Sequence, residues 1–273
     1  MNGQRSLPDY DDQLSSFHTA FEPELETIVA ELPLSPGMRV LDLACGDGFY
    51  ARRIARRVGP TGLVTGADVN LGYLERARDE ASSDPELAPI DFVAASFDAL
   101  PFPNDTFDFV WCAQSLYSLP DPTVVARCVA RVLKPGGLFA VLENDTLHQV
   151  FLPWPVHLEL PLRAAELRTL LEQSDNSNKY YVGRRLPAVL AAAGLDPRRI
   201  TTHAFDRQAP LTESVQALLQ SYLDEVTERA SAHLAPELLA ELRELVDPSS
   251  PRHLLRQPHL SITWLNVLAF GRK

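Results

Sequence analysis

The sequence has few cysteines, and the three among its 273 residues, Cys45, Cys112 and Cys128, include no CxxC pair. Neither a disulfide framework nor a cysteine zinc site is expected, and a reducing compartment fits best. The chain also lacks the run of about 18 apolar residues that a membrane span needs. Its first residues are polar and acidic, where a secretory signal starts basic and continues apolar. We therefore expect a cytoplasmic protein without a membrane segment.

Basic residues are scarce as well, since 25 Lys and Arg face 36 Asp and Glu and leave a formal net charge of −11. The excess is −6 over residues 1–36, −5 over 37–148 and 0 over 149–273. Proteins that follow a phosphate backbone usually carry a basic surplus, so nucleic acid is not the expected partner. Apolar residues, in contrast, make up 45% of the chain. A chain of this size and composition can bury a substantial core.

Short apolar runs alternate with amphipathic stretches along much of the chain. The predicted strands cover residues 39–44, 62–68, 90–95, 107–113, 137–142, 199–206 and 260–270. The predicted helices cover residues 49–58, 71–81, 122–133 and 183–194, and a helix or helix pair covers 14–32. This alternation is typical of α/β proteins with a parallel sheet covered on both faces. We predict a mostly parallel seven-stranded sheet with helices on both faces and a mainly helical cap.

The regular alternation breaks after residue 148 and again after residue 206, which indicates insertions into one continuing sheet. The predicted organisation is an N-terminal helical lid (1–36), a cofactor-binding core (37–148), a cap insertion (149–178), a core continuation (179–206), a second cap insertion (207–258) and a final core strand (259–273).

A glycine-rich turn, LDLACGDG at residues 41–48, follows the first predicted strand. Open α/β sheets bind ligands at the carboxyl ends of their strands, and glycines let a ligand approach the backbone closely. The helix that begins near Phe49 would direct free N–H groups at the same place. Asp68 ends the second strand, where a carboxylate can accept both hydroxyls of a ribose. The pattern indicates a cofactor that contains a nucleoside, without naming it.

Two cofactors fit these residues. Gly46-Asp-Gly-Phe-Tyr-Ala51 matches the GxGxxA pattern of nicotinamide dinucleotide folds, which is a weak signal alone. Asp42, just before the turn, would repel a pyrophosphate but could hold the amino group of a methionine. An NAD(P)-dependent oxidoreductase stays open as the alternative.

Further motifs accompany the turn at residues 66–68 (GAD), 100–110 (LPFPNDTFDFV) and 131–138 (RVLKPGGL). With residues 40–48 they span about 40–140, and in order and spacing they resemble the Rossmann-like (class I) S-adenosylmethionine-dependent methyltransferases, particularly the ubiquinone/menaquinone-type, small-molecule branch. The resemblance implies S-adenosylmethionine as the cofactor and transfer of its methyl group to oxygen, carbon or nitrogen of a small molecule, as in secondary metabolism. A protein that binds this cofactor without turnover is a further alternative.

The resemblance also implies roles for individual residues. Asp42 and the backbone of Ala44, Cys45 and Gly46 would hold the methionine end, and Asp68 would bind the ribose. Val69 would pack on one face of the adenine, and Ser96 and Phe97 would lie at its amino edge. The backbone from Cys112 to Gln114 would bind the ammonium group. Two positions depart from the family pattern: Ala44 replaces a glycine, and Ser96 stands where many relatives have an acid.

Methyl transfer from a sulfonium needs an aligned nucleophile, so positioning carries much of the rate, and a base is needed only where the acceptor must lose a proton. His148, just beyond the fifth predicted strand, is the first candidate for base or substrate-orienting group, and Tyr117, after the fourth, is the second. A loop histidine and a packed aromatic are the simpler interpretations. Tyr10 and His18 could lie on the N-terminal lid, although packed or solvated helix residues are the better interpretation.

The segment at residues 151–162, FLPWPVHLELPL, is apolar and stiffened by prolines. A cap of this composition suits a hydrophobic or aromatic small-molecule substrate. Packing against the N-terminal helix or a partner subunit explains it equally well, so a homodimer is possible. The position of Phe151 and Trp154, on a pocket wall or away from one, distinguishes the two. Asp and His are not clustered as ligands of a hard metal would be, and no metal is predicted.

Overall fold

The computed structural model describes residue 7 and residues 11–82, 87–119, 121–173 and 180–273. The helices are α1 (Asp11–Ala20), α2 (Glu22–Glu31), α3 (Phe49–Val58), α4 (Leu71–Ser82), α5 (Pro122–Val132), α6 (Val156–Gln173), α7 (Val182–Ala192), α8 (Glu213–Ala230) and α9 (Pro236–Val246). The strands are β1 (Arg39–Leu43), β2 (Leu63–Asp68), β3 (Ile90–Ala94), β4 (Phe107–Ala113), β5 (Leu133–Glu143), β6 (Val150–Phe151), β7 (Asp196–Gln208) and β8 (Ser261–Arg272).

The strands of the described residues form one sheet, in the order β3-β2-β1-β4-β5-β8, with β7 on the outer edge of β8. The first five strands are parallel, whereas β8 runs antiparallel to both β5 and β7. This confirms the predicted α/β fold with a mostly parallel sheet. Since β8 is antiparallel, its first residues lie at the edge where the parallel strands end.

The strand count is eight in the described part of the chain, against the seven that the sequence predicts. The additional strand is β6, whose two residues pair with Thr263 and Trp264 at the start of β8. Two residues are too few to show the alternation by which a strand is recognised in a sequence. The β6 pairing places residues 144–151 beside the first residues of β8.

Helices cover both faces of the sheet. Residues of α5 and α7 form one buried cluster with the odd-numbered residues of β5, such as Phe139 and Val141. Residues of α2, α3 and α4 belong to the opposite cluster, with the even-numbered Ala140 and Leu142. The alternation along β5 is what a strand buried on both faces requires.

Four further helices, α1, α6, α8 and α9, are called the outer helices. Helix α8 contacts each of the other three, and their apolar residues belong to the same cluster as α2 and α3. Arg207 on β7 holds the N-terminal helices in place, since it donates to Glu24 of α2 and to the carbonyl of Ala20 at the end of α1. Helices α1 and α2 are thereby attached to the end of β7.

No helix among the described residues is long and apolar enough to cross a membrane. Within those same residues, no three His, Cys, Asp or Glu side chains are grouped as they would be around a metal ion.

Candidate active site

The turn between β1 and α3 has an unusual backbone, because three of its five residues have positive φ angles. These are Ala44 at 61°, Gly46 at 51° and Gly48 at 77°. A Cβ on Gly48 would lie 3.1 Å from the Cβ of Ala77 and 3.2 Å from the ring of Phe92, so a side chain would be crowded as well as strained. The turn therefore keeps a conformation that a side chain at Gly48 would disturb.

Asp68 braces this turn from the end of β2. Its two carboxylate oxygens accept hydrogen bonds from the backbone N–H of Gly46 (3.0 Å) and of Asn70 (2.9 Å). Burial raises the pKa of Asp68, and these hydrogen bonds oppose the rise. A carboxylate has about four acceptor positions, so these hydrogen bonds leave part of its capacity for a ligand.

Asp42 lies underneath the turn, with 1% of its surface exposed. Its Oδ2 atom has no hydrogen-bond partner among the described residues. Burial, together with the negative charges of Asp68 and Asp47, raises the pKa of Asp42 to about 8. A cation above the turn would lower that pKa again, because it favours the charged form of the carboxyl group.

The turn opens onto a cavity of about 210 Å³, which we call the turn cavity. Its lining comprises the backbone-rich turn, the ends of β2 and β4, and one side of α1. The residues are Leu14, His18, Ala44, Cys45, Gly46, Asp47, Tyr50, Asp68, Val69, Tyr73, Phe97, Ala113, Gln114, Ser115, Tyr117 and Ser118.

A second cavity of about 280 Å³, the outer cavity, adjoins the first. It is lined mainly by side chains of α1, α8 and β8 and of the segments after β4 and β5. The residues are Gln13, Leu14, Phe17, Gln114, Tyr117, Asn144, Thr146, Gln149, Leu218, Glu225, Arg229 and Trp264. Three residues, Leu14, Gln114 and Tyr117, line both cavities.

The segment that separates the two cavities is fixed from below by Glu143, at the end of β5. The fully buried carboxylate of Glu143 accepts the backbone N–H groups of Ser115 (2.7 Å) and Leu116 (2.5 Å). Burial raises the pKa of Glu143 to about 7 in spite of these hydrogen bonds. Beside them, Gln114 adopts a positive φ of 49° and donates its side-chain amide to the fully buried Asn266.

The structure brings most of the sequence-derived candidates together. Eight of them line the turn cavity: Ala44, Cys45, Gly46, Asp68, Val69, Phe97, Gln114 and Tyr117. Four line neither cavity: Asp42, Ser96, Cys112 and His148. Asp42 and Cys112 are buried behind the lining, whereas the Ser96 hydroxyl donates to Asp98 at 2.5 Å on the surface.

His148 lies outside the wall of the outer cavity. Its imidazole is exposed and 5.9 Å from the ring of Tyr181, while its neighbours Thr146 and Gln149 face the cavity. Burial, followed by the charges of Arg184 and Arg163, lowers the pKa of His148. Tyr10, the other lid candidate, lies outside the described residues.

His18 is buried beside the turn cavity, stacked on Phe49 at 3.9 Å between ring centroids. Both of its ring nitrogens lack hydrogen-bond partners among the described residues. Burial lowers the pKa of His18 to about 4, so the ring is neutral at physiological pH. A neutral imidazole next to the cavity can both donate and accept one hydrogen bond.

The aromatic wall of the outer cavity differs from the one that the sequence suggested. Trp154 is buried in the core and Phe151 is 56% exposed, and neither lines a cavity. Phe17 and Trp264 line the outer cavity instead, with ring centroids 5.5 Å apart. Trp264 lies near the start of β8. Because β8 is antiparallel, this start lies at the carboxyl edge of the parallel strands, and that direction is the feature from which Trp264 could have been identified as a cavity residue.

Residues 41–141 match the family model described as a methyltransferase domain. These residues thus have the sequence pattern of a methyltransferase domain. The family indicates S-adenosylmethionine as the cofactor, in agreement with the resemblance noted from the sequence. The domain includes the turn, Asp68 and the segment after β4.

Relatives with curated descriptions match over the same part of the chain. A ubiquinone/menaquinone biosynthesis C-methyltransferase, UbiE, of Shewanella halifaxensis is 40% identical over 121 residues, which are 42% of this chain and 48% of that protein. Methyltransferase GfsG of Streptomyces halstedii is 39% identical over 124 residues, which are 45% of this chain and 44% of that protein. The chain thus spans about half the length of the curated relatives it matches.

The fold extends beyond the matched sequence. A putative methyltransferase of Bacillus halodurans, known from a crystal structure, aligns over 91% of this chain and 98% of its own with a TM-score of 0.60. At 17% identity this likeness concerns the fold alone. The matched residues are therefore part of a larger α/β fold that this protein shares with that structure.

Proposed function

We propose that this protein transfers the methyl group of S-adenosylmethionine to a small-molecule acceptor that binds in the outer cavity. The observation that carries the proposal is the junction of the two cavities at Leu14, Gln114 and Tyr117. A donor in the turn cavity and an acceptor in the outer cavity would face one another there. Such juxtaposition supplies much of the rate of a methyl transfer.

The turn cavity fits the proposed cofactor in charge and shape. The unpartnered oxygen of Asp42 and the carboxylates of Asp47 and Asp68 favour a cation, and S-adenosylmethionine carries a sulfonium and an ammonium group. The exposed Val69 provides an apolar surface for the adenine, with Phe97 opposite in the lining. We assign the methionine end to the turn above Asp42 and the ribose to the free acceptor positions of Asp68.

The remaining cofactor contacts are proposed from the segments after β3 and β4. Ser96 and Phe97 would bound the adenine amino edge, and the backbone between Cys112 and Gln114 would receive the ammonium group. Since the side chain of Cys112 is buried, only its backbone is available for this role.

When bound, S-adenosylmethionine supplies a methyl carbon that a nucleophile can attack in line with the carbon–sulfur bond. The chain's contribution is to orient the acceptor and exclude water. We propose Gln114 and Tyr117 as the orienting residues, because both line the two cavities at their junction. His148 lies outside both cavities, so it stays a candidate substrate-orienting residue that would act through its neighbours Thr146 and Gln149.

An acceptor with a flat apolar portion is favoured by the Phe17 and Trp264 rings and by Leu218. The amides of Gln13, Asn144 and Gln149 add polar contacts, so we propose an aromatic or hydrophobic metabolite with polar substituents. Several properties stay predictions: the acceptor atom (oxygen, carbon or nitrogen), a cytoplasmic location, a role in secondary metabolism and a homodimer. The division of the chain into lid, core and cap also stays a prediction, and in that division the outer helices supply the acceptor site.

The proposal is tested by incubating the protein with isotopically methyl-labelled S-adenosylmethionine and a metabolite extract, followed by mass analysis of the labelled products. We expect formation of S-adenosylhomocysteine and one small labelled product. Calorimetry with S-adenosylhomocysteine and with NADH separates the alternatives. Binding of NADH alone would favour the oxidoreductase, and binding of S-adenosylhomocysteine without any turnover would favour a non-catalytic protein.

A further inference from the structure

The end of the outer cavity formed by α8 contains a charged group that the proposed function does not use. Arg229 and Glu225, one turn apart on α8, both line the cavity. The side chain of Arg229 is only 15% exposed. A guanidinium buried to this extent needs partners for its N–H groups, because an unpaired buried donor is costly.

The described residues leave part of this guanidinium unpaired. Arg229 donates from Nε to Glu166 (3.1 Å) and from Nη1 to Glu225 (2.9 Å). Its Nη2 atom is buried and has no hydrogen-bond partner among the described residues. Two of the three nitrogens are thus paired, and the third has no partner among the described residues.

The two carboxylates that hold Arg229 are unequal. Glu166 is fully buried and is shared, since its other oxygen accepts from Arg163 at 2.8 Å. One buried carboxylate therefore serves two guanidinium groups. Glu225 provides the second negative charge, but its side chain is 41% exposed, so water competes for this carboxylate and its pairing with Arg229 is the weaker of the two.

Arg229 keeps its charge in this setting. Burial opposes the charged form, but the carboxylates of Glu166 and Glu225 outweigh it and raise the pKa of Arg229. The planar fork of an arginine matches a carboxylate with two parallel hydrogen bonds. A ligand carboxylate in the cavity could thus take the position of Glu225 and use Nη2 as well, while Glu225 turns to solvent.

We propose that the outer cavity binds an acceptor that carries a carboxylate, and that Arg229 recognises this group. The inference rests on the proposed function, and it names the class of acceptor: an aromatic or otherwise flat carboxylic acid. Its body would lie against Phe17 and Trp264, and its carboxylate would lie at Arg229. Arg229 is then a specificity-determining residue of the outer cavity.

The test compares two probes of nearly equal shape, benzoate and benzamide, on the protein saturated with S-adenosylhomocysteine. Binding is followed by calorimetry at fixed ionic strength. We expect benzoate to bind the unaltered protein at least about tenfold more tightly, as a hydrogen-bonded charge pair implies. Equal affinity for the two probes would overturn the proposal.

Two variants identify the residue responsible. Glu225→Gln removes the competing carboxylate from a half-exposed position, so it should fold normally and bind benzoate several-fold more tightly, with benzamide unchanged. Arg229→Gln should abolish the preference for benzoate. Unchanged selectivity in Glu225→Gln, or a preference that survives in folded Arg229→Gln, would contradict the assignment.

The same titrations keep the two proposals separate. S-adenosylhomocysteine affinity, measured first in each sample, reports on the turn cavity and should be equal in all three proteins. If S-adenosylhomocysteine fails to bind, the proposed function fails, and the probe comparison can still be made on the free protein. If it binds and benzoate is not preferred, only the carboxylate assignment fails.

Discussion

The two cavities are built in different ways. The turn cavity is formed largely by backbone and short side chains from loops that follow consecutive parallel strands, and its central contact joins Gly46 to Asp68, 22 residues apart. The outer cavity is formed by long side chains from opposite ends of the chain, such as Phe17 and Trp264. A binding site made of backbone leaves a local pattern in the sequence. A binding site made of distant side chains does not.

The largest effect is expected from Asp68→Ala, which should damage one cavity alone. The variant removes the carboxylate that accepts the backbone N–H groups of Gly46 in the turn and of Asn70 after β2 and that, as proposed, binds the ribose. We expect at least about a hundredfold weaker binding of S-adenosylhomocysteine by calorimetry, since hydrogen bonds to a charged group are each worth roughly 1.5–3 kcal/mol. The Kd of benzoate in the outer cavity should change by less than about twofold, because Asp68 does not line that cavity.

Asp91→Ala is the matched control, because it removes an exposed carboxylate from the neighbouring strand β3. It should leave the affinity for S-adenosylhomocysteine unchanged. Full affinity in Asp68→Ala would show that the turn holds its shape and the cofactor without this brace.

The converse change is Trp264→Phe, which should weaken the outer cavity alone. The indole packs against Phe17, Phe21 and Tyr222, so a smaller ring leaves space in the wall. We expect the KM for the acceptor, or the Kd of benzoate, to rise about tenfold, as the loss of one well-packed aromatic contact implies. Binding of S-adenosylhomocysteine should stay the same.

Trp154→Phe provides the control for this experiment. Trp154 is equally buried but lines neither cavity, so its replacement should lower the free energy of unfolding without changing the acceptor KM. An equal rise of KM in both variants would mean that the effect reflects general destabilisation.

A moderate, pH-dependent effect is expected from Asp42→Asn. Because the pKa of Asp42 is raised to about 8 in the folded protein, the native state binds this proton more tightly than the unfolded state between about pH 4 and 8. The contribution of protonated Asp42 to the free energy of unfolding is thus largest at low pH. It decreases as the pH rises towards 8, by at most about 1.4 kcal/mol per pH unit.

Urea unfolding at pH 5 and pH 8 measures this difference. Asp42→Asn should lose less stability between the two pH values than the unaltered protein, whereas Asp12→Asn, an exposed carboxylate on α1, should follow the unaltered protein. Saturation with S-adenosylmethionine should reduce the loss in the unaltered protein, since its cationic groups favour the charged carboxylate. Parallel pH profiles for Asp42→Asn and the unaltered protein would contradict the burial argument.

The smallest effect is expected from His148→Ala. The imidazole is exposed and outside the lining of both cavities, so kcat/KM should fall by no more than about threefold, which corresponds to about 0.6 kcal/mol. Tyr117→Phe, which alters the junction of the cavities, should cost more. A loss of about a hundredfold in His148→Ala, with its dependence on pH removed, would instead identify His148 as the general base.

Sequence patterns predicted the fold well because strand–helix alternation is a local property. The helix after the turn was predicted at residues 49–58 and lies at Phe49–Val58, and the predicted seven strands are all present. The short β6 was missed, since its two residues are ordered by pairing with the distant β8. Eight predicted site residues line the turn cavity for the same reason that the fold was predictable: they follow strand ends.

The wall of the outer cavity was predicted less well. The sequence leaves two interpretations open for Phe151 and Trp154, a pocket wall or packing elsewhere. In the structure Trp154 packs into the core and Phe151 is on the surface. Arg229 and Glu225 look like an ordinary surface pair on a helix in the sequence. In the structure α8 packs against α6, and Arg229 donates to the buried Glu166 of α6. This contact is what distinguishes Arg229 and Glu225 from an ordinary surface pair.

The position of β8 between β5 and β7 has a consequence for synthesis of the protein. The N-terminal part of a chain leaves the ribosome first. Strands β1 to β5 and the turn can therefore associate before residues 261–272 are synthesised. The outer cavity cannot close at that stage, because Trp264 and the strand that carries it are still missing. A nascent chain therefore contains all the residues of the turn cavity before it contains all those of the outer cavity.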